Sequence, residues 1–156
     1  MKILVTGGCG YIGNALIPKL LDKGHKVISV DKQYFGNKLR PHKNLINLKL
    51  CVSDIKKDLL NGVNTVIHLA AISNDPAALL NSKITWETNV LYTLNLLNAC
   101  KNKKIKQFIF ASSGSVYGVS KKKKVDEKTD LLPISDYNKT KMIGEKLITS
   151  FKKYFN

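Results

Sequence analysis

The chain has 156 residues, 44% of them hydrophobic and 24% charged, a composition that fits one globular domain and excludes disordered, collagen-like and membrane-spanning classes. Twenty-six basic residues against 11 acidic ones give a formal charge of +15, yet Arg40 is the only arginine. The guanidinium fork that reads bases and grips phosphates is therefore nearly absent, and scattered lysines read as compositional bias rather than a nucleic-acid footprint. Cys9, Cys51 and Cys100 are odd in number, lack metal spacing and follow no signal-like segment, which points to a reducing cytoplasm.

In chain order, Ile3 to Thr6 reads as a short buried strand that is interrupted at once by TGGCGYIG, Thr6 to Gly13. The following NALIPKLLDKG has apolar residues at Ala15, Leu16, Leu20 and Leu21, a helical spacing, and Gly24 stands where a C-cap belongs. Strand, glycine turn and helix together form a phosphate-binding geometry. Gly7 serves the tight reversal, Gly10 the approach of a pyrophosphate and Gly13 the packing of helix on strand, while the helix N-terminus faces the anion with free N–H groups. A second apolar run, His25 to Asp31, ends in an acid where a dinucleotide site places the carboxylate that holds the adenosine ribose. Such a carboxylate accepts bonds from both ribose hydroxyls and repels a 2′-phosphate, so Asp31 favours NAD over NADP.

Strand and helix patterns then alternate as in βαβ units, which predicts a parallel sheet covered on both faces. Asn47 to Leu50 is the third expected strand and Asn64 to Ala71 the fourth. A long helix is expected from Trp86 to Ala99 with Val90, Leu91, Leu94, Leu97 and Ala99 toward the sheet, then a fifth strand from Lys106 to Ala111 and a last helix from Tyr137 to Phe151. The run Lys121 to Lys124 reads as a solvated loop, or as a cationic rim that draws an anionic substrate inward.

Two stretches carry candidate chemistry. FASSGSVYG, Phe110 to Gly118, puts hydroxyls at the C-terminal end of a strand, where open parallel sheets bind ligands. SDYNKTK, Ser135 to Lys141, sets Tyr137 and Lys141 four apart on one helix face. A phenol with a reference pKa near ~10 is a weak base at neutral pH, but a neighbouring ammonium favours the phenolate. Tyrosine, lysine and a serine hydroxyl together suit hydride transfer at a carbinol.

With TGGCGYIG, Asp31, Asp54-Ile55, HLAA at 68–71, Asn89-Val90, SSGSVYG and YNKTK in this order, the chain resembles the extended short-chain dehydrogenase/reductase family, in its NAD-dependent nucleotide-sugar epimerase/dehydratase branch. The resemblance implies a Rossmann-type, doubly wound parallel α/β sheet of about five strands with helices on both faces, in one NAD-binding domain, 1–156. It implies further that Tyr11 and Ile12 flank the pyrophosphate, that Asp31 holds the ribose and that Asp54 and Ile55 border the adenine. Leu69, Ala70 and Ala71 then line the cofactor, Asn89 supports the site, and Ser113, Tyr137 and Lys141 form the catalytic triad, with His68 outside the chemistry. Relatives that dehydrate or decarboxylate carry acids between the catalytic hydroxyl and Val-Tyr-Gly, whereas Gly114 and Ser115 stand here. This favours a UDP-glucose 4-epimerase-like reaction on a nucleotide sugar through a transient keto sugar. The alternatives are a nucleotide-sugar reductase or dehydratase, and an NAD-binding module without catalysis. Family members run to about twice this length, so the substrate-gripping half is expected to lie outside the chain, with no nucleic-acid or membrane partner and a possible homodimer.

Overall fold

A computed structural model describes residues 1–120 and 124–155. Five parallel strands, β1 (Lys2–Thr6), β2 (Lys26–Asp31), β3 (Leu45–Lys49), β4 (Thr65–His68) and β5 (Gln107–Phe110), form one sheet in the order β3-β2-β1-β4-β5. The register sets Ile3 beside both Val27 and Thr65, and Thr65 beside Gln107. The chain winds outward from β1 to β3 and then returns to β4, so the strand order reverses between β1 and β4, and a crevice opens at their C-terminal ends. This is the Rossmann-type architecture expected from the sequence.

The central strands are apolar without alternation because both of their faces are covered. On one face, α1 (Tyr11–Asp22) lays Ile17 and Leu21 against Ile3, Val5 and Val27. It closes at Gly24, whose N–H reaches Leu21 O, while His25 N–H reaches Leu20 O. On the other face, Leu96, Ala99 and Cys100 of α4 (Tyr92–Cys100) pack on Leu4, Ile28, Val30 and Val66. Edge strand β5 is half covered, with Ile109 42% exposed. The remaining helices are α2 (Asp75–Leu80), α3 (Ser82–Trp86) and α5 (Asp136–Ser150), the last packing over α2, α3 and the turn that follows β5.

Element bounds differ from the sequence expectation by one to three residues at most termini. The third strand begins at Leu45 rather than Asn47, and the fourth ends at His68 rather than Ala71. The larger departure is the expected helix from Trp86 to Ala99. It starts at Ser82, where Asn81 caps it by accepting the Ile84 N–H at 3.0 Å, and is broken by a π-helical turn, Glu87–Leu91. There the Tyr92 N–H reaches back five residues to Glu87 O. A π turn offsets the helix face by about one residue, roughly 100°. The expected inward set therefore holds only in part: Leu97 and Ala99 are buried, Val90 and Leu94 are half-buried and Leu91 is exposed, while Asn89, Thr93 and Leu96 occupy the buried face. The two polar members of that face, Asn89 and Thr93, are hydrogen-bonded there.

Leu96 is fully buried at the centre of the α4 face. Leu96→Ala is expected to lower stability by about 2–5 kcal/mol, measured by urea unfolding; a loss under about 1 kcal/mol would show that α4 does not anchor this layer.

Candidate cofactor and catalytic site

The glycine turn follows directly on β1. Gly7 has φ +73°, and a Cβ there would stand 2.7 Å from the Ala70 backbone nitrogen, so the turn lies flat against the chain leaving β4. A Cβ on Gly13 would meet Gly8 O at 2.4 Å and Gly7 O at 2.5 Å, so the first turn of α1 packs on the glycine turn itself. Gly10 caps α1 from an extended conformation, and Tyr11 and Ile12 are exposed at the helix start. Asn14, which the sequence did not single out, donates from Nδ2 to Cys9 O at 2.6 Å and to Gly10 O at 3.0 Å, tying α1 to the turn.

Asp31, at the end of β2, closes the turn from the side. Its Oδ2 accepts the Cys9 N–H at 3.0 Å and its Oδ1 the Gln33 N–H at 2.6 Å. A carboxylate has about four acceptor positions, so two backbone bonds leave capacity for a diol. Asp31 also borders a cavity of about 440 Å³ at the C-terminal ends of β2, β3 and β4, whose walls include Leu50, Cys51, Val52, Ala70 and Tyr92. That volume lies in the range of small-molecule sites. Ala71 lines it as well, while Leu69 is half-buried against the α1 side of the core.

The sequence expectation sets Asp54 and Ile55 beside the adenine. Asp54 is exposed and accepts from Ser53 Oγ at 2.9 Å, and Ile55 is buried in the α4-side core; neither lines the cavity. The reason is local: the chain leaves β3 directly into a 3₁₀ turn, Val52–Asp54, so Cys51 and Val52 face the opening and the next two residues turn away.

The candidate catalytic residues gather at the end of β5. Lys141 is 4% exposed, and its Nζ donates to Ala111 O at 2.9 Å, 4.9 Å from the Phe110 ring centre and 5.9 Å from that of Tyr137. Burial without a carboxylate pushes its ammonium down to about 8. Ser113, two residues beyond Ala111, caps the 3₁₀ turn Gly114–Tyr117, accepting the Ser115 N–H at 3.2 Å and sharing a 2.7 Å hydrogen bond with Ser115 Oγ. Tyr137 lies in the first turn of α5, which Ser135 caps by accepting the Asn138 N–H at 3.2 Å. Ser135 also donates to Asp75, and Ser82 to Asp136, so α2 and α3 hold the start of α5. Farther along, Ser112 donates to Glu145, and Gly144 lies where a Cβ would meet the Phe110 ring at 2.6 Å.

Asn89 is buried and does not border the cavity. Its Oδ1 accepts the Ile72 N–H at 2.8 Å, and its Nδ2 donates to Ile72 O at 3.0 Å and to Thr140 Oγ1 at 3.0 Å. His68 is buried between Thr6 Oγ1, 2.6 Å from Nδ1, and Thr93 Oγ1, 2.9 Å from Nε2. Its imidazole is pushed down to about 3, chiefly by burial and further by the charge of Lys141. Among the described residues no group of three or more His, Cys, Asp or Glu could hold a metal ion, and no helix is long and apolar enough to cross a membrane. Of the lysine run, Lys121 to Lys123 lie outside the described residues.

A glycine turn closed by an acid, with a tyrosine–lysine pair across the same sheet edge, defines a nucleotide-binding α/β enzyme class. The chain belongs to the NAD dependent epimerase/dehydratase family, whose model matches residues 3–156. It is 41% identical to an uncharacterised UDP-glucose epimerase, YtcB, of Bacillus subtilis (strain 168), over 99% of this chain and 53% of that protein. Among solved structures, it superposes with a TM-score of 0.92 and 31% identity on a UDP-N-acetylglucosamine 4-epimerase from Methanobrevibacter ruminantium M1 in complex with UDP-N-acetylmuramic acid, covering 99% of this chain and 51% of that one. The UDP-glucose 4-epimerase of Thermus thermophilus, in complex with NAD, gives 0.86 and 27% over 99% and 52%. The chain thus spans about half the length of the relatives it matches.

The depressed Lys141 ammonium makes a pH prediction. Its folded value, about 8, lies below the ordinary 10.5, so the unfolded chain holds the extra proton between them. Stability attributable to this group therefore rises as pH climbs from 8 to 10.5 and is lost again as pH falls back through this window. Lys141→Met is expected to abolish that rise, read as the difference between the two proteins' unfolding free energies across this range; parallel curves would refute the buried charge.

Proposed function

We propose that the chain is the cofactor-binding and catalytic part of an NAD-dependent nucleotide-sugar 4-epimerase, with residues 1–156 as one domain. The observation that carries this reading is the convergence on one sheet edge of the Asp31-closed glycine turn and the buried Tyr137–Lys141 pair beside Ser113. The residues present fit the cofactor. The turn is a cradle that a Cβ at Gly7 or Gly13 would obstruct, and the carboxylate beside it retains acceptor capacity. Gly7, Gly10 and Gly13, with the N–H groups of Tyr11 and Ile12, would hold the pyrophosphate, and Asp31 the adenosine ribose. Asp54 and Ile55 would border the adenine, next to Cys51 and Val52, which line the cavity. Leu69, Ala70 and Ala71 would follow the middle of the cofactor, and Tyr137 and Lys141 its nicotinamide half.

When bound, NAD supplies a reversible two-electron oxidation of the sugar carbinol, with no net redox change over a turnover. The protein's own part is proton transfer and orientation. Tyr137 Oη removes the proton from the sugar 4-hydroxyl and returns it, Ser113 Oγ hydrogen-bonds the same oxygen, and the Lys141 ammonium stands 5.9 Å from the Tyr137 ring centre. Gly114 and Ser115 put no carboxylate beside Ser113. An acid or base for elimination is thus missing there, which disfavours the dehydratase reading, and Asp31 with the Ser-Ser-Gly-Ser-Val-Tyr-Gly pattern favours epimerisation over plain reduction. Most sugar contacts would come from the part of the relatives that this chain does not match.

The chain alone is expected to bind NAD more tightly than NADP in isothermal titration, and Asp31→Ala to narrow the gap; equal affinities in the unmutated chain would sink the assignment of Asp31. A coupled assay of UDP-glucose and UDP-galactose interconversion, with and without a C-terminal half supplied in trans, tests the reaction. Turnover should need both halves and fall on the order of 10²–10⁴-fold in Tyr137→Phe. Undiminished turnover in that variant would remove Tyr137 from the chemistry.

A further inference from the structure

The hydrogen bonds around His68 fix the position of every proton. Thr93 Oγ1 lies 2.8 Å from Asn89 O, a pure acceptor, so the single hydroxyl proton of Thr93 points there. Thr93 therefore turns a lone pair toward His68 Nε2, and Nε2 must carry a proton. On the other side, Thr6 Oγ1 accepts the Ala70 N–H at 3.4 Å and lies 2.6 Å from Nδ1. Were Nδ1 protonated too, the Thr6 hydroxyl would face two donors and its own proton would have no acceptor in this set. The ring is accordingly neutral with Nδ1 bare, and Thr6 donates to it.

The bonds then form one directed line. It runs from Ala70 N–H to Thr6, from Thr6 to His68, from His68 to Thr93, and from Thr93 to Asn89 O. That line ends on the Asn89 backbone carbonyl; the Asn89 side chain begins a second set of bonds, to both backbone groups of Ile72 and to Thr140, whose hydroxyl donates to Tyr137 O at 2.7 Å. Thr6 immediately precedes the glycine turn, and Ala70 is the residue against which Gly7 packs. The first set therefore starts under the turn, the second ends on the first turn of α5, and Asn89 joins them covalently. Thr6, His68, Thr93, Asn89 and Thr140 are all at most 3% exposed, so water does not compete for these bonds.

We propose that His68, as a neutral Nε2–H imidazole, is a positioning residue that couples the glycine turn to the helix carrying Tyr137 and Lys141. It touches neither sugar nor cofactor and acts through Thr6 and Thr93. The coupling to cofactor rests on the dinucleotide-site reading above; the proton arrangement does not. Among the described residues, its hydrogen-bond and ring partners are Thr6, Thr93, Phe108 and Phe110, none of them a carboxylate that could stabilise a second proton. The ring packs on Phe108 and Phe110, and the charged group bearing on it is Lys141, across Phe110.

The test uses the full chain labelled with ¹⁵N-histidine. His68 is expected to show a bare Nδ1 and a protonated Nε2 that do not change between pH 5 and 8; an Nδ1–H form or a titrating ring would overturn the proposal. Thr93→Val keeps the side-chain volume and removes the hydroxyl. It should shift the amide signals of Asn89, Thr140 and Tyr137 and weaken NAD binding roughly three- to tenfold, and Thr93→Ser should restore both. A folded Thr93→Val protein whose α5 signals and NAD affinity match the unmutated chain would reduce the line to local packing and overturn the coupling. If the unmutated chain bound no NAD while the nitrogen shifts and the α5 response appeared as stated, the dinucleotide reading would fail and the hydrogen-bonded line would stand.

Discussion

Beneath the crevice, the sheet ends in polar side chains that water cannot reach, and their hydrogen bonding constrains everything built above them. Thr6 and His68 are cross-strand neighbours at the C-terminal ends of β1 and β4 and are essentially unexposed. A buried donor or acceptor left without a partner costs about 1–3 kcal/mol, so the layer above must supply acceptors and donors in matching order. Thr93 and Asn89 do so from the helix segment, and Thr140 does so from α5. Because each hydroxyl has a single proton, the order from Thr6 through His68 to Thr93 is directional, and an apolar residue at Thr93 would strand the His68 Nε2–H.

That requirement accounts for features which packing alone leaves arbitrary. An uninterrupted α-helix through 82–100 would present its apolar residues to the sheet; the π turn at Glu87–Leu91 instead brings Asn89 and Thr93 inward and turns Leu91 outward. Such turns recur at functional sites because they reposition one residue without ending a helix. The same displacement lets Asn89 clamp both backbone groups of Ile72, so the segment after β4, which walls the cavity through Ala70, Ala71 and Ile72, is held at two points rather than left as a free loop.

The sequence was informative where one residue type answers one steric or chemical need. Gly7 and Gly13 have to be glycine because backbone occupies the place of a Cβ, and Asp31 closes the turn from the end of an apolar run; both needs leave a mark in spacing. Strand number and order of elements follow from short apolar runs alternating with helical spacings, and the proximity of Tyr137 to Lys141 from a spacing of four on a helix. What escaped were features set by tertiary fit. Leu91 and Leu94 looked inward on periodicity, and nothing local announces a π turn. Which residues after β3 line the cavity depends on where the strand gives way to its 3₁₀ turn, a boundary of one or two residues. Thr6, Thr93 and Thr140 are ordinary in composition, and only their mutual distances reveal that they form one line.

Lys141 shows how the two halves of this edge depend on one another. Its ammonium is anchored by a backbone carbonyl and the faces of Phe110 and Tyr137, with no acid among these partners. A carboxylate partner would cancel its field and hold its proton firmly. Without one, the group remains mostly charged at neutral pH, about ten to one for a value near 8, and its charge stays available to an approaching oxyanion. Such a charge is costly to bury, and His68, the imidazole within its field, is neutral, chiefly through its own burial, with the two threonines that flank it matched to that form. The hydrogen-bonded line under the crevice thus has an electrostatic consequence beyond its geometry: by withholding a second cation from the layer beneath α5, it leaves Lys141 as the positive group facing the phenol.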